Sequence, residues 1–344
     1  MPDPLVNLGE SVVNNLSYAF NPGAWLVDYI PILKFLPDGF PGTAFKDTAR
    51  QCKGNFNTLL NVPYLFVCQQ MNEGTYQSSY VSNLIEQYRE GEKGSNLSRN
   101  YENAIKSSAA VLYIGATDST VSSLNSFIFV MAMFPTVQHK AQAEIDLVIG
   151  SNRLPRFEDR DKLPYVNGIV KELHRWSPVT PMGFPHISEE DINYNGYLIP
   201  KGAYLLPAIW WFCYDPEVYS EPETFNPERY LEPHNEPDPK SHIFGYGRRI
   251  CPGQHFADSN IFLTVAQTLA AFKINKTTSK QEVEKATIEI GTGIANENRL
   301  VNFHYEIVPR SGKQAELLQG INITELGKTS DASLLGDSIL DRHK

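Results

Sequence analysis

The chain has 344 residues, of which 42% are hydrophobic and 20% charged, and its formal net charge is −9. This length and composition are typical of a globular enzyme with one large domain or two ordinary ones. The acidic balance, without any basic tract, argues against a nucleic-acid surface. The cysteines (four in all) have no regular spacing, which indicates a reducing compartment without a disulfide framework.

The N-terminal region shows no secretion signal, because Met1-Pro2-Asp3-Pro4 carries neither a basic segment nor an apolar core behind it. Further on, the run from Trp25 to Pro37 is apolar, aromatic and interrupted by prolines. Two interpretations stay open for this run. It is either an ordinary packed loop or a surface segment whose aromatic side chains suit an interfacial contact.

Long helices dominate the middle of the chain. Residues 100–134 hold no proline and a single glycine, and a helix of that length extends roughly 50 Å. Asp118 and several Ser and Thr residues interrupt its apolar sequence, which favours a buried helix over a membrane span. A second helix is predicted over 136–148, with Pro135 at its first position and Gly150 at its end. A third runs from about 166 to 176 and stops before a proline.

A smaller strand-rich section follows the helices. Residues 192–199 predict a hairpin around the Asn195-Gly196 turn, and 204–209 form a second short apolar run. The segment 213–242 is rich in Pro, Glu and Asn, which marks a long irregular connection. Near the end, a helix over about 254–272 has apolar residues on every side and is predicted to be deeply buried. Residues 300–308 predict a final strand, and a polar, flexible tail begins after Ser311.

The run from Phe244 to Gly253 (FGYGRRICPG) carries the strongest chemical signal. Its glycines let the backbone turn tightly and approach a flat ligand. Its arginines form forked, permanently charged pairs with carboxylates. Cys251 lies at the start of a helix next to these arginines, where the thiolate, the form that binds metal, is favoured.

Other roles of this cysteine are considered first. Three alternatives are open: Cys251 is an inert core residue, or it is a zinc ligand together with His255 and Asp258, or it is a nucleophile with His255 as its base. The remaining cysteines form no Cys-x-x-Cys pair, which disfavours structural zinc. A nucleophile leaves the glycines and arginines unexplained. The spacing Phe-Gly-x-Gly-x-Arg-x-Cys-x-Gly resembles the haem-binding signature of the cytochrome P450 superfamily, the haem-thiolate monooxygenases.

The resemblance implies a mainly α fold with a small β portion (α+β), the cytochrome P450 fold, and it implies haem b as the cofactor. Cys251 is then the axial ligand of the haem iron, and Phe244 shields its sulfur. Arg249 and His186 reach the haem propionates. Gly245 and Gly253 complete the cofactor-binding run.

A second motif of the family has a supporting role. Glu172 and Arg175 lie three residues apart, so they share one face of the predicted third helix. By itself such a pair is usually a solvated surface pair. The resemblance places Arg229, from the sequence FNPERY, against them, and it implies a structural cluster that locks the irregular connection onto the core.

The long helix carries the sequence GATDST. Taken alone, it is either a patch of small residues for close helix packing or a functional site. The resemblance implies that Asp118, Ser119 and Thr120 are catalytic, guiding oxygen binding and proton delivery. Two positions depart from the family pattern, because the alcohol is more often threonine and Ala116 stands where glycine is usual. The resemblance also implies substrate-pocket residues at Val179, Thr180, Met182, Thr292 and Ile294.

The implied function is a monooxygenase that inserts one oxygen atom of O₂ into a lipophilic organic substrate. The resemblance implies electrons from NADPH through a partner flavoprotein reductase. It also implies that the loop near residue 30 covers the substrate entrance and rests on a membrane surface, at the cytosolic face of the endoplasmic reticulum. The sequence after Arg249, ICPGQHFAD, is similar to that of fungal members that act in secondary metabolism.

The resemblance covers residues 1–310 and leaves 311–344 as the tail. It begins in the middle of the family fold, so the expected chain is N-terminally truncated, without the membrane anchor and without the helix that normally offers a tryptophan and an arginine to the propionates. Two functions therefore remain as alternatives. One is the monooxygenase, and the other is a non-catalytic remnant that does not hold haem and acts as a binding scaffold.

Overall fold

The computed structural model describes residues 3–19, 23–91, 97–277, 287–289, 299–301 and 303–320, and their fold is mainly helical with small sheets. The α-helices are α1 (Pro4–Ala19), α2 (Leu26–Tyr29), α3 (Ala44–Glu73), α4 (Tyr80–Gly91), α5 (Arg99–Met133), α6 (Pro135–Val148), α7 (Pro164–Trp176), α8 (Ile209–Tyr214), α9 (Lys240–Ile243), α10 (Gln254–Ala271) and α11 (Gly312–Gln319). Short 3-10 helices cover Pro31–Phe35, Phe157–Lys162, Pro227–Tyr230 and Gly247–Arg249. The strands are β1 (His186–Ile187), β2 (Ile192–Tyr194), β3 (Tyr197–Ile199), β4 (Tyr204–Leu205), β5 (Phe272–Lys276), β6 (Thr287–Glu289), β7 (Arg299–Val301) and β8 (Tyr305–Pro309).

The chain divides into two compact units, and the boundary lies within α5, between Asp118 and Ser119. In the first unit, α1 and α4 both pack on α3. Its small core joins Tyr64, Ile85 and Ile105, one side chain from each of α3, α4 and α5. This unit is built from helices alone among its described residues.

The second unit holds the larger core, which the C-terminal half of α5 forms with α6, α7 and α10. Each helix contributes apolar side chains from the face that points inward, which is the arrangement expected for packed amphipathic helices. Fully buried members from these helices are Val130, Met131, Ala141, Val166, Ile169, Phe262 and Val265.

Local signals fix the ends of the helices around this core. Pro135 is the first residue of α6, and Gly150, with a φ of 76°, follows the end of that helix. The Glu144 carboxylate of α6 caps α7, because it accepts the backbone N–H groups of Tyr165 at 2.8 Å and Val166 at 3.0 Å. Burial raises the pKa of Glu144, and these two hydrogen bonds oppose that shift.

The strands form four antiparallel pairs: β1 with β4, β2 with β3, β5 with β8, and β6 with β7. The predicted hairpin is confirmed, since β2 and β3 pair across a two-residue turn. Both turn residues have a positive φ, 49° at Asn195 and 84° at Gly196, which is the geometry that an Asn-Gly hairpin turn requires.

Several predicted elements differ from the structure. The single strand predicted over 300–308 is two strands in two sheets, because β7 pairs with β6 while β8 pairs with β5. The apolar run 204–209 divides between β4 and the first residue of α8. The helix α10 is buried only in its second half, and Phe256 near its start is 72% exposed, because the first turns adjoin the surface loop that holds Cys251.

The C-terminal stretch contains α11 where the sequence predicted a tail from residue 311. This helix packs on α10 and β8, with Gln314 buried and Lys313 bonded to Ser151 at 2.7 Å. Its half-buried apolar side chains supply the packing that the weak periodicity of the sequence did not reveal. The rest of the predicted tail, residues 321–344, lies outside the described residues.

Within the described ranges, no helix taken singly has the length and hydropathy of a membrane span, although the bent pair α5 and α6, whose axes differ by 102°, meets that test jointly.

Candidate functional site

The loop that ends at Cys251 is a compact turn between α9 and α10. The glycines that flank Tyr246 have positive φ values, 78° at Gly245 and 56° at Gly247, which a side chain would strain. These two bends return the chain on itself, so that the N–H of Cys251 donates to the carbonyl of Phe244 at 2.7 Å. The loop therefore fixes the backbone of the cysteine by a short hydrogen bond to the first residue of the signature.

Cys251 lies half-buried immediately before α10. A Cβ placed on Gly253 would lie 3.8 Å from the Cys251 sulfur, so the thiol stands close to the first turn of the helix. The positive end of a helix dipole favours an anionic atom at this position. The chain thus presents a half-buried sulfur at the N-terminal end of α10.

Ion pairs hold the start of α10 in place. The Asp258 carboxylate accepts two hydrogen bonds from Arg160, at 2.8 and 3.1 Å, and pairs with Lys240 at 2.6 Å. Burial alone would raise the pKa of Asp258, but the hydrogen bonds from Arg160 and Lys240 outweigh it and lower that pKa. The helix that follows Cys251 is thereby tied to the 3-10 helix at 157–162 and to α9.

The donor set and its surroundings fit a haem held through the sulfur. Arg248 and Arg249 are exposed, and neither side chain has an ion pair with any residue that the structure describes, so both are available to propionate groups. Ile250 and Phe256, on either side of Cys251, are 42% and 72% exposed and offer apolar surface to a flat macrocycle. A cysteine sulfur with guanidinium groups beside it is the donor set that such a cofactor requires.

The structure brings Glu172, Arg175 and Arg229 together in a fully buried cluster. Glu172 Oε1 accepts from Arg175 Nη2 at 2.8 Å and from Arg229 Nε at 3.0 Å. Its other oxygen, Oε2, accepts from Arg175 Nε at 2.9 Å and from the Tyr230 hydroxyl at 3.0 Å. All of this lies in the interior, where charges survive only when they are paired and hydrogen-bonded.

The two arginines also hold the irregular segment 213–236 against α7. Arg175 donates to the carbonyl of Cys213 at 2.9 Å, and Arg229 donates to the carbonyl of Ser220 at 2.9 Å. Arg229 further pairs with Glu236 at 2.6 Å, so a second carboxylate balances the charge. The cluster therefore has a structural role, because it holds a loop against a helix, and none of its members is exposed enough to contact a substrate.

A ring contact links α7 directly to the cysteine loop. The imidazole of His174 meets Phe244 edge-on, with ring centroids 5.6 Å apart and planes at 69°. His174 is 5% exposed, and burial lowers its pKa to about 4. Sequence reasoning did not single out His174, Tyr230 or Glu236. The first two stand inside quoted motifs, and only their contacts with residues distant in the chain reveal them.

The predicted acid–alcohol sequence lies within the uninterrupted helix α5, where Asp118, Ser119 and Thr120 are half-buried. Serine side chains on the following turns bond back to the helix, as when Ser123 donates to the carbonyl of Ser119 at 3.3 Å. Val121 beside them is 53% exposed. Their catalytic roles stay predictions that rest on the resemblance.

The segment after α7 has a defined shape. Gly183 is buried with a φ of 57°, and a Cβ there would come within 2.4 Å of Pro207. This close approach fixes the turn that holds Val179 and Thr180, both half-buried, and Met182, which is 50% exposed. The remaining members of the predicted pocket, Thr292 and Ile294, lie outside the described residues.

His186 is exposed at the start of β1, opposite Leu205 of β4. Its imidazole therefore stands at the surface of the second unit, and its role toward a propionate stays a prediction.

The zinc interpretation of Cys251, His255 and Asp258 is wrong. The described part of the chain contains no group of three His, Cys, Asp or Glu side chains placed to hold a metal ion. The physical reason is that the Asp258 carboxylate already serves Arg160 and Lys240.

Comparisons with known proteins agree on one family. The sequence profile described as Cytochrome P450 matches residues 10–302. The multifunctional cytochrome P450 monooxygenase af510 of Aspergillus fumigatus is 47% identical over 98% of this chain and 63% of its own length. The cytochrome P450 monooxygenase CLM2 of Gibberella zeae is 46% identical over 97% of this chain and 63% of its own. The O-methylsterigmatocystin oxidoreductase of Aspergillus flavus is 37% identical over 96% and 61%. The chain therefore spans under two thirds of the length of these relatives.

Proposed function

The chain belongs to the cytochrome P450 family. From that membership we propose that it acts as a haem-dependent monooxygenase of fungal secondary metabolism, with Cys251 as the iron ligand. The observation that carries the proposal is the cysteine loop. It presents a half-buried sulfur before α10, in a loop that turns at two glycines with positive φ, and the side chains of Arg248 and Arg249 form no ion pair with any described residue. A structural protein has no need of this combination.

The proposed reaction converts a C–H bond of a lipophilic substrate into C–OH. One atom of O₂ enters the product and the other leaves as water, with two electrons and two protons consumed. The electrons come from NADPH through a flavoprotein reductase. When bound, haem b supplies the oxygen activation that protein side chains do not perform by themselves.

The chain's own residues have separable tasks in this proposal. Cys251 donates its sulfur, Phe244 covers it, and Arg249 and His186 neutralise propionates. Asp118 and Ser119 pass protons at their carboxylate and hydroxyl groups, with Thr120 next to them. The segment around Thr180 lines the substrate pocket.

A membrane-facing role of the N-terminal segment is part of the same proposal. In α2 and the 3-10 helix behind it, large apolar side chains stand in solvent, among them Tyr29 at 69%, Ile32 at 69% and Phe35 at 76% exposure. Contiguous exposed apolar surface of this kind is typical of an interaction site. We place it against the cytosolic face of the endoplasmic reticulum membrane, where lipophilic substrates collect.

The test is the absorption spectrum of the purified, reduced protein under carbon monoxide. We expect a red-shifted Soret band of the thiolate type in the unmodified chain and in Cys68→Ala, and its loss in Cys251→Ala. Cys68 is the matched control because it is also half-buried and lies in the first unit. An unmodified chain that takes up no haem would instead support the non-catalytic scaffold. A band that survives Cys251→Ala would refute the ligand assignment.

A further inference from the structure

His174 is a buried side chain whose polarity the packing of α7 does not require. It is 5% exposed, and its Nε2 atom has no hydrogen-bond partner among the residues that the structure describes. An unpaired buried polar atom lowers stability, and native proteins retain few of them. An aliphatic side chain would fill the site without that cost, so the presence of a ring at this position needs another explanation.

The contacts of the imidazole lead to the iron ligand in two steps. The ring meets Phe244 edge-on, in the orientation that aromatic quadrupoles favour, with centroids 5.6 Å apart. Phe244 then accepts the N–H of Cys251 on its carbonyl at 2.7 Å. The side chain of Phe244 is thus held by His174, and its backbone holds the cysteine.

Burial, and not the surrounding charge, keeps the ring of His174 neutral. Burial lowers the pKa of His174 to about 4, although Asp258 and Asp238 oppose this shift. Lys240 and Arg160 support the lowering, and both are already bound to Asp258. A neutral ring adds no positive charge to the loop that carries the sulfur.

We propose that His174 is a positioning residue for the sulfur ligand, because its ring orients Phe244 and Phe244 in turn fixes the backbone of Cys251. The inference rests on the proposed haem ligation by Cys251. It assigns to α7 a direct part in holding the ligand loop, separate from the buried ion cluster on the same helix.

The first experiment uses the haem-loaded chain and measures the ferrous carbon-monoxide spectrum and the reduction potential. We expect His174→Leu to raise the fraction of haem without the thiolate band about fivefold, since it removes one oriented aromatic pair. His174→Phe keeps a ring at this place and should restore the spectrum. Ile169→Val is the matched control, because Ile169 is fully buried on α7 within the separate apolar core.

The second experiment needs no haem. The haem-free chain is treated with a thiol reagent, and the rate of modification is measured with and without the substitution Cys251→Ala. The difference between the two rates is the rate for Cys251. Loss of the ring pair should accelerate that modification about fivefold in His174→Leu and leave it unchanged in His174→Phe and Ile169→Val. The unfolding midpoint of His174→Leu should equal or exceed that of the unmodified chain, because the unpaired nitrogen is gone.

The outcomes separate this inference from the proposed function. If the unmodified chain binds no haem, the proposed function fails while the thiol rates still decide the role of His174. If His174→Leu matches Ile169→Val in both readouts, the histidine is only a core residue and the inference is overturned. Should His174→Leu not fold, His174→Met removes the same ring with an unbranched apolar side chain and is read in the same way.

Discussion

The buried carboxylate of Glu172 accepts five hydrogen bonds from the described residues around it. It faces Arg175 and Arg229, and each of these three side chains is at most 1% exposed. In water such charges would be separately solvated, so folding has to replace that solvation with direct bonds. The cluster keeps the irregular segment in one conformation only while all of its members are present.

Replacing Glu172 by glutamine should lower the free energy of unfolding by about 3–5 kcal/mol, because two guanidinium groups lose their shared counter-charge in the interior. The matched control is Glu228→Gln. Glu228 pairs with Lys140 at 2.7 Å, but its side chain is 46% exposed, and its loss should cost within about 0.5 kcal/mol. Denaturant unfolding of both variants checks the prediction, and equal losses would contradict it.

The buried imidazole of His174 should make the free energy of unfolding depend on pH in the acid range. Its pKa falls to about 4 in the folded chain, chiefly through burial, whereas the unfolded chain binds the proton near 6.5. Below pH 6.5 the unfolded state holds more protons, so the free energy of unfolding decreases as the pH falls toward 4. The loss over this window amounts to about 3 kcal/mol.

Unfolding curves between pH 7.5 and 4.5 test this linkage. His174→Leu should show a shallower decline than the unmodified chain. The charged groups facing the ring, Asp258, Asp238, Lys240 and Arg160, are present in both proteins, so the difference between the two curves reports the histidine. Parallel declines in the two proteins would show that the histidine is already charged or solvated in the folded state.

Much of the residue-scale chemistry was visible in the sequence, because the signature run and the Glu-x-x-Arg pair are local patterns. Phe244, Cys251, Glu172 and Arg175 could be named from spacing and resemblance. The contact between His174 and Phe244 could not, since it joins residues distant in the chain whose meeting depends on how α7 packs against the loop. Hydrophobic periodicity indicates which face of a helix is buried but not which side chain it meets.

At the scale of elements, the close approach of α7 to the 3-10 helix at 227–230 depends on one glycine. A Cβ on Gly168 would lie 2.6 Å from the carbonyl oxygen of Pro227, which is a backbone atom with little freedom to move. The side chain of Arg229, held by Glu172, fixes this 3-10 helix against the same face of α7. The ion cluster and the glycine therefore act on one interface.

Gly168→Ala should lower the free energy of unfolding by about 1–3 kcal/mol through overpacking, even though alanine favours helices. Gly54→Ala supplies the opposite case. Gly54 lies in α3 with open space around its Cα, so alanine there should raise stability by up to about 1 kcal/mol. Thermal or denaturant unfolding compares the two, and a stabilising Gly168→Ala would contradict the close packing of this interface.

The sequence located α5, α6, α7 and α10 within a few residues, but it did not identify the 30-residue helix α3 and was less informative about the strands. Pro135 and Gly150 mark the limits of α6 locally, and the same holds for the proline after α7. The run 300–308 instead alternates between apolar and polar residues without a break, while its division into β7 and β8 depends on two separate partners, β6 and β5. Strand pairing is decided by tertiary contacts, so one alternating run does not reveal where one strand ends and another begins.

At the scale of the whole molecule, net charge determines how the exposed apolar segment could meet a membrane. The chain carries −9, so anionic lipid repels it on average and electrostatic attraction does not drive binding. Lys34 is the basic residue within the 3-10 helix at 31–35, and it stands over the ring of Phe35. The binding free energy should therefore come from burial of apolar side chains such as Ile32 and Phe35 in the lipid interface.

Sedimentation with uncharged phosphatidylcholine vesicles measures this contribution. Phe35→Asp should reduce the bound fraction about tenfold or more at subsaturating lipid, because a fully buried aromatic side chain contributes about 1.5–3 kcal/mol. Added salt should leave the binding of the unmodified chain unchanged, since no ion pairs with lipid are involved. The matched control is Tyr197→Asp in the β2–β3 hairpin: Tyr197 is 75% exposed against 76% for Phe35, and the same charge is introduced. An equal loss in both variants would mean that added negative charge alone weakens binding, and the segment at 26–35 would then have no special part in it.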